Sequence, residues 1–348
     1  MKGNRNFFIG FLLGILLAGA IFFLFLLPYF KKAAEDRQKL LLQESLKMES
    51  QQESSYAPLL KNVIDKINHD VQQDPNRTLS DETIDMIAAM CQQFQPYFHP
   101  PGDTVLNKKL SPERGRLLLL LALTKIDSVS FMKVKEKTDF SYVDLRQVDL
   151  HGIDLSGIQL HHAELKDANL EGAKLNDADL SFANLWGAKL TNAQLIGSNL
   201  RRAELSWADL SGADLRIVNL HEANLVSAQL RGANLHGVDC VWTDFTGAFL
   251  NGATMAEAKL FRTIFRKAQL EKTDFSGSKM TYAVMTDANL NYTNLTNSDL
   301  GNLIVADPDW LNLLDTWHVM GASDIRSKYK QIEAFNYYRD SKYQLVLK

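Results

Sequence analysis

The sequence has little of what catalytic and metal-binding sites require. Among its two cysteines and eight histidines, no combination with Asp has the spacing of a metal site. His161 and His162 are adjacent, which turns their side chains apart along an extended segment. A glycine-rich phosphate loop, a nucleophile elbow and a zinc motif are all missing. We therefore predict no enzymatic activity, no catalytic residue, no cofactor and no metal ion.

The chain also lacks a strong excess of charge and a disulfide framework. Its 38 Lys and Arg against 41 Asp and Glu give a formal net charge of -3, which suggests no nucleic-acid partner. Two cysteines imply no disulfide framework and do not settle the compartment in which the protein resides.

One pattern dominates the second half of the chain: an apolar residue stands at every fifth position from Phe140 to Leu300. Of these 33 positions, 25 are Leu, and none is polar. A second set, from Thr138 to Ser298, lies two residues before the first, and 19 of its 33 members are Ala. The eight exceptions to Leu are Phe140, Cys240, Phe245, Met255, Phe265, Phe275, Met280 and Met285.

A five-residue period matches neither regular element. It would carry the leucines around the surface of a helix and to alternate faces of a strand. A backbone that bends by about 90° after every five residues keeps them all inside a four-sided coil of about 20 residues. Such coils, stacked at strand spacing, would form a rod of about eight coils and roughly 40 Å. Cys240 occupies an inward position, so we predict a buried, unreactive thiol.

The consensus A-(D/N)-L-x-x of residues 138–302 resembles the pentapeptide-repeat family. The resemblance implies a mainly β fold, a right-handed quadrilateral parallel β-helix. It also implies binding and scaffolding rather than catalysis. Within such a fold, the Asp and Asn before each inward residue are expected to be structural.

Some members of this family protect DNA gyrase by imitating the charge and width of duplex DNA, and the sequence can be compared with that role. Residues 138–302 hold 20 acidic and 14 basic side chains. Nine acidic and three basic residues lie within 138–185, and the remainder balances at 11 and 11. A DNA mimic needs acidity along its whole length. The excess of acidic residues in this rod is confined to its first part. A DNA-mimicking, topoisomerase-binding protein is therefore kept only as the alternative function.

The beginning of the chain predicts a transmembrane helix. The 21 residues from Phe7 to Leu27 carry no charge, and at 1.5 Å per residue they span about 31 Å, the thickness of a hydrocarbon core. A cleaved signal peptide would have a shorter apolar region and a small-residue cleavage site, which "FLLPYFKK" lacks. We predict an uncleaved, single-pass anchor. Basic residues after the span slightly outnumber those before it, which leans weakly toward a cytoplasmic large domain.

Four regions are predicted in total: an anchor (1–32), a helical stalk with an N-terminal cap (33–137), the β-helix (138–302) and a C-terminal helical cap (303–348). Ser111 and Pro112 are expected to begin a cap helix, and Ser80 another, with Ile84, Ile87, Cys91 and Phe94 inward. After the repeat we expect a helix begun by Asp307 and Pro308, a second from Asp324 to Phe335, and an edge strand at 343–348. The sequence leaves open whether the early helices pack together, dimerise into a homo-oligomer, or extend the cap.

The outward positions suggest where a partner binds. Counting in steps of 20 places aromatic and Arg side chains, both enriched in protein interfaces, in one column along the rod. Trp186 and Trp207 are expected on the adjoining side. The alternative is that these side chains only cover the corner backbone. The predicted face for an unknown protein partner consists of Tyr142, His162, Phe182, Arg202, Trp242, Arg262 and Tyr282, with Glu222 in the same column and Trp186 and Trp207 beside it.

Overall fold

The computed structural model describes residues 57–94, 96–98, 109–334 and 343–348. From residue 144 to residue 284, each bridge residue pairs in parallel with the residue twenty positions later, as Asp144 does with Glu164 and Val284 with Ile304. The chain therefore winds into eight stacked coils, and each coil has four sides of five residues. This arrangement confirms the predicted quadrilateral β-helix.

The backbone hydrogen bonds explain why a five-residue side is a complete unit. On the side from Ser181 to Leu185, all five backbone N–H groups have an acceptor. Two donate to carbonyls of the next coil, one to the previous coil, and one closes the turn within the same coil. The fifth, that of Ser181, donates to the carboxylate of Asp179 at 3.0 Å. No donor of this side is left without a partner, as folded backbones require.

The Asp or Asn that precedes each inward residue has a local structural role. Its side chain accepts a hydrogen bond from the backbone N–H two residues later, as Asp149 does from His151 and Asn184 from Trp186. Asn side chains also donate to the same position of the preceding coil, as Asn169 does to Asp149 at 2.8 Å. These bonds support the corners at which an Asp or Asn precedes the inward residue, which confirms that the abundant Asp and Asn are structural.

The inward positions form a closed apolar core along the axis. All 33 are at most 2% exposed, including Cys240. The rings of Phe245 and Phe265 stack at 5.3 Å in successive coils, and Phe275 meets Phe265 edge-on at 5.5 Å. Each buried Leu contributes on the order of 2 kcal/mol. Each coil buries these side chains against the coils above and below it, so the stability of the rod comes from stacking between neighbouring coils. An end coil lacks one neighbour, so each end of the rod needs a cover over its apolar core and unpaired backbone groups.

Helices and short strands flank the coils. The helices are α1 (Ala57–Gln73), α2 (Asp81–Gln93), α3 (Pro112–Leu123), α4 (Ser128–Lys137), α5 (Trp310–Thr316) and α6 (Ala322–Lys328). The strands are β1 (Tyr97–Phe98), β2 (Lys109–Leu110), β3 (Ile304–Val305), β4 (Tyr329–Glu333) and β5 (Tyr343–Leu347). Strands β1 and β2 pair antiparallel, and β3, β5 and β4 form one antiparallel sheet in that order.

Helix α3 covers the first coil. Ser111 caps it by accepting from the N–H of Arg114, and Pro112 is its first residue, as the sequence predicted. Ser111 also pairs in parallel with Val143, so the chain enters the helix from the edge of the first coil. The buried Arg114 guanidinium donates to the carbonyl oxygens of Cys91 and Ser141, both at 3.1 Å. One side chain thereby joins α2, α3 and the first coil.

The other N-terminal helices are tied to one another. Asp70 of α1 accepts hydrogen bonds from the backbone and hydroxyl of Ser80, the residue that caps α2. Ion pairs join Asp81 to Lys133 and Asp85 to Lys137, between α2 and α4. The residues predicted for the inner face of α2 are buried: Ile84, Ile87, Cys91 and Phe94. These contacts make α1, α2 and α4 parts of one packed layer.

The cap that follows the last coil contains a three-stranded sheet as well as two short helices, whereas the sequence predicts a mainly helical cap. Helix α5 begins at Trp310 rather than at Pro308, and the second helix ends at Lys328 instead of continuing to Phe335. The chain becomes strand β4 because residues 329–333 pair with β5 along their whole length. Strand β5 was predicted at the edge, and it lies between β3 and β4. It is the middle strand because β3, a continuation of the last coil, offers it a second pairing partner.

The predicted anchor (7–27) and residues 33–56 of the predicted stalk lie outside the described residues. Within the part of the chain that the structure describes, no helix has the length and apolar character needed to cross a bilayer.

Candidate partner-binding surface

Every five-residue side begins with a corner whose second residue has a positive φ angle. The turn bond, such as Ala183 N–H to the carbonyl of Leu180, and the single left-handed residue are those of a type II turn. Gly suits this position because it has no Cβ. Successive coils superimpose their corners, so the left-handed residues form four columns along the rod.

One of these columns contains no glycine, and we call it the corner ladder. Its φ angles lie between 56° and 62° from residue 142 to residue 282. In the other three columns, Gly fills 11 of the 24 positions between residues 147 and 297. Bulky residues rarely adopt this conformation, and each costs on the order of 1–2 kcal/mol. The corner ladder consists of Tyr142, His162, Phe182, Arg202, Glu222, Trp242, Arg262 and Tyr282.

The first half of the corner ladder is a stack of rings. Tyr142 stacks on His162 at 4.9 Å between ring centroids, and His162 lies 4.9 Å from Phe182. Arg202 then places its guanidinium 5.6 Å from the Phe182 ring. His161, next to this column, meets His162 and Phe182 edge-on and bonds to the Ser181 hydroxyl at 2.7 Å. The column predicted from the 20-residue step is therefore a continuous line of contacts here.

The middle of the corner ladder is an ion cluster around Glu222. Its carboxylate accepts from Nε of Arg202, from Arg201 at 3.2 Å, and lies 2.9 Å from Nε2 of His221. The hydrogen bond from Arg202 is the leading cause that lowers the pKa of Glu222 to about 2. Glu222 is therefore a carboxylate throughout the physiological pH range, and it neutralises the arginines around it.

The second half of the corner ladder is an exposed aromatic cluster around one cation. The Arg262 guanidinium lies 4.5 Å from the ring of Trp242, 5.4 Å from Phe261 and 5.7 Å from Tyr282. Trp242 is 46% exposed, and the two other rings are exposed to a similar degree. Arg and large aromatic side chains are the types that dominate binding energy in protein interfaces.

Two of the predicted face residues lie beside the corner ladder, on the adjoining side, where the sequence predicts them. Trp186 and Trp207 lie at the next corner of the coil, and Trp186 packs there against the ammonium of Lys166 at 4.6 Å. They do not belong to the corner ladder. Four contributors were missed by the sequence reasoning: His161, Arg201, His221 and Phe261. The available signal was their position, each immediately before a residue of the predicted column.

The described residues of this surface do not assemble into a metal site. Among the described residues, no group of three or more His, Cys, Asp or Glu could hold a metal ion. Burial raises the pKa of the Cys240 thiol, and burial likewise raises that of Cys91 to about 12. Neither thiol is therefore available as a nucleophile in the folded chain. The surface offers rings, guanidinium groups and one carboxylate.

The described fold and surface define a class: a β-helical repeat protein whose outer corners carry aromatic and charged side chains. The family model for pentapeptide repeats matches residues 138–177, 178–216, 218–252, 239–277 and 268–302. The chain therefore belongs to the pentapeptide-repeat family, whose members form right-handed quadrilateral β-helices.

Several solved structures of pentapeptide repeat proteins are similar to part of this chain. HetL, a pentapeptide repeat protein involved in heterocyst differentiation regulation in the cyanobacterium Nostoc sp. strain PCC 7120, is 30% identical over 49% of this chain and 84% of its own, with a TM-score of 0.22. AT2G44920 from the Arabidopsis thaliana thylakoid lumen is 32% identical over 32% of this chain and 72% of its own, with a TM-score of 0.22. QnrB1, a plasmid-mediated fluoroquinolone resistance protein, is 19% identical over 48% of this chain and 95% of its own, with a TM-score of 0.20. A comparison with curated proteins finds no match.

Proposed function

We propose that this protein is a membrane-tethered scaffold that binds a protein partner through the corner ladder. The observation that carries the proposal is the run of eight bulky left-handed residues without one glycine, on a rod whose other corners use glycine often. Thirteen of the 24 positions in the other columns also hold a left-handed residue other than Gly, but only this column does so along its whole length. Backbone strain that is retained along an entire column supports a role beyond folding. The residue types retained there are those found at interaction surfaces.

The rod supports recognition by holding these side chains at fixed positions. Each ladder residue is anchored by a backbone hydrogen bond to the next coil, such as Arg202 N–H to the carbonyl of His221 at 2.9 Å. The side chains also restrain one another through the ring stack and the Glu222 ion cluster. A partner that binds a preorganised surface loses less entropy on association.

Replacement of ladder residues by glycine tests the proposal without straining the backbone. The variant combines Arg202→Gly, Trp242→Gly and Arg262→Gly, which removes side chains from positions where glycine is the favoured residue. A matched control combines Glu257→Gly, Lys267→Gly and Lys272→Gly, three left-handed residues on the other corners of neighbouring coils.

The measurement is crosslinking in intact membranes, followed by quantitative mass spectrometry of proteins attached to the full chain. We expect at least one partner to be retained by the wild type and the control and lost from the ladder variant. Equal recovery of every crosslinked protein from the ladder variant would refute the proposed face, provided that both variants unfold at similar temperatures.

The proposed tether is the apolar segment from Phe7 to Leu27. A charged residue at the centre of a bilayer-spanning helix costs about 2.5–3.5 kcal/mol on insertion scales. The double variant Leu16→Arg and Leu17→Arg should therefore move the chain from the membrane pellet to the alkaline-extractable fraction. Retention of this variant in the extracted membranes would argue against the anchor.

The alternative proposal, a DNA-mimicking protein that binds a topoisomerase, receives less support. Acidic residues exceed basic ones only in the first coils, and the rod as a whole has 20 acidic and 14 basic side chains between residues 138 and 302. A mimic of a duplex with one charge per about 1.7 Å needs a continuous acidic surface. Inhibition of gyrase supercoiling by the purified chain would favour this alternative over the scaffold.

A further inference from the structure

Two arginines of the corner ladder differ in their electrostatic environment. Arg202 is paired with Glu222, whose carboxylate also meets Arg201 and His221. Arg262, three coils later, contacts three rings, and none of the carboxylates that the structure describes is paired with it. The positive charge of Arg262 is therefore not neutralised within the described chain.

The rings hold the Arg262 guanidinium while leaving it able to bind. Trp242 belongs to the coil before Arg262 and Tyr282 to the coil after it, and Phe261 is its neighbour in the chain. Contacts with ring faces stabilise a cation without using its N–H groups. A planar guanidinium presents those N–H groups as a fork that matches a carboxylate. The cluster is thus preorganised for an anion, with apolar ring surface exposed beside it.

The surrounding coil is locally basic although the rod is acidic overall. Residues 259–279 contain six Lys and Arg and two acidic residues. Lys259 and Lys279 lie on the flat side that precedes the corner, three residues before Arg262 and Tyr282. Lys259 is 3.4 Å from Asp239, whereas the described residues provide no ion pair for Lys279. The charge of this coil complements a small acidic group.

We propose that the cluster of Arg262, Trp242, Phe261 and Tyr282 is a binding site for an acidic segment of a protein. An Asp or Glu carboxylate of that segment receives two hydrogen bonds from Arg262, and a neighbouring apolar side chain lies on Trp242 or Tyr282. A peptide fits better than nucleic acid because the net charge of -3 repels a polyphosphate, while one basic coil suffices for a few carboxylates.

Fluorescence anisotropy of the full chain with defined peptides tests the site. The probe is a fluorescein-labelled peptide in which glutamates alternate with leucine and phenylalanine. The matched peptide has glutamine in place of every glutamate, and a short oligothymidylate serves as the polyphosphate probe. We expect the glutamate peptide to bind at least about tenfold more tightly than the glutamine peptide, because hydrogen bonds to charged groups are the strong ones.

Variants locate the site. Arg262→Gln should weaken binding of the glutamate peptide about tenfold or more, and Arg262→Lys should fall between it and the wild type because lysine keeps the charge without the fork. Arg231→Gln is the matched control, since Arg231 also lies over a ring, Phe249 at 4.6 Å, on another part of the surface. This control should bind like the wild type. The proposal is overturned by no binding of the glutamate peptide, by equal binding to Arg262→Gln, or by tighter binding of oligothymidylate.

The site rests on the proposed partner-binding role of the corner ladder, but the two can fail separately. Arg262-dependent peptide binding without any ladder-dependent crosslink would leave the site and remove the scaffold proposal. Crosslinks that depend on the corner ladder but persist in Arg262→Gln, together with no peptide binding, would keep the scaffold proposal and remove the Arg262 site.

Discussion

Gly115 of α3 lies directly on the backbone of Asp144 in the first coil, and a methyl group added to it would stand 2.5 Å from the Asp144 carbonyl oxygen. Real Cβ atoms do not approach backbone oxygen so closely. A helix can therefore cover the open end of the coils at this distance only if it presents a residue without a side chain.

Substitution of Gly115 should weaken the N-terminal cap through overlap alone. Gly115→Ala is expected to lower the free energy of unfolding by about 1–3 kcal/mol, the usual cost of overpacking. Gly152 is the matched comparison, because its φ is +66° and nothing lies within 4 Å of an added Cβ. Gly152→Ala should cost about 1–2 kcal/mol through backbone strain.

Asparagine separates the two causes. Asn tolerates the left-handed region, so Gly152→Asn should be more stable than Gly152→Ala. At Gly115, Asn is larger and should be no better than Ala. Denaturant unfolding of the four variants provides the measurement, and a Gly115→Ala variant as stable as the wild type would contradict the close approach of α3.

The Glu222 cluster predicts a pH-dependent contribution to stability. The pKa of Glu222 is lowered to about 2, first by the hydrogen bond from Arg202. A lowered folded-state pKa means that the stabilisation is present above the unfolded value, near 4.5, and is lost as the pH falls toward 2. Wild type should therefore unfold at a higher temperature than Glu222→Gln at neutral pH, and the gap should narrow between pH 4.5 and pH 2. A gap that is constant over this range would show that the cluster contributes no linked stability.

The repeat was predictable because the residues that determine the conformation of each five-residue side lie within that side. An inward Leu, a small residue beside it and an Asp or Asn before it recur in phase, so local pattern and final fold agree. The outward column was predictable for the same reason, since a step of 20 residues is fixed once the coil has four sides. The ring and ion contacts of His161, Arg201 and Phe261 were missed because they depend on the side-chain conformations of neighbouring corner residues, which the repeat pattern does not specify.

The C-terminal cap was harder to predict because its pairing is not local. Residues 324–335 have a helical pattern, yet Tyr329 begins a strand that pairs with Leu347 at the end of the chain. The Tyr329 hydroxyl also accepts from the backbone N–H of Leu300 at 3.1 Å, which anchors this strand to the last coil. Tertiary pairing overrides propensity in such short segments.

The two buried thiols predict a chemical probe of local unfolding. Burial raises the pKa of both Cys91 and Cys240, so native chain should react slowly with iodoacetamide. Cys91 lies in the cap helix α2 and Cys240 in the middle of the rod, where coils stack on both sides. Because the ends of a stacked array open more readily, Cys91 should be labelled before Cys240 as denaturant is added. Mass spectrometry of the alkylated peptides gives the order, and simultaneous labelling would instead show that cap and rod unfold as one unit.

The two leucines of strand β5 have different roles although they lie only two residues apart. Leu345 is fully buried, accepts from the Asn302 N–H at 2.7 Å and donates to the carbonyl of Leu303 at 2.9 Å. Leu347 is 67% exposed. Leu345→Ala should lower the free energy of unfolding by about 2–5 kcal/mol through loss of buried volume, while Leu347→Ala should change it little.

Hydrogen exchange in the last coil tests whether β5 protects that end of the rod. Because β5 covers the last coil, Leu345→Ala should also speed hydrogen exchange at the Asn302 amide, and Leu347→Ala should not. Exchange at an amide in the middle of the rod, such as that of Leu210, serves as the internal reference and should change less than that of Asn302. Equal effects of the two substitutions would mean that the end of the chain does not close the rod.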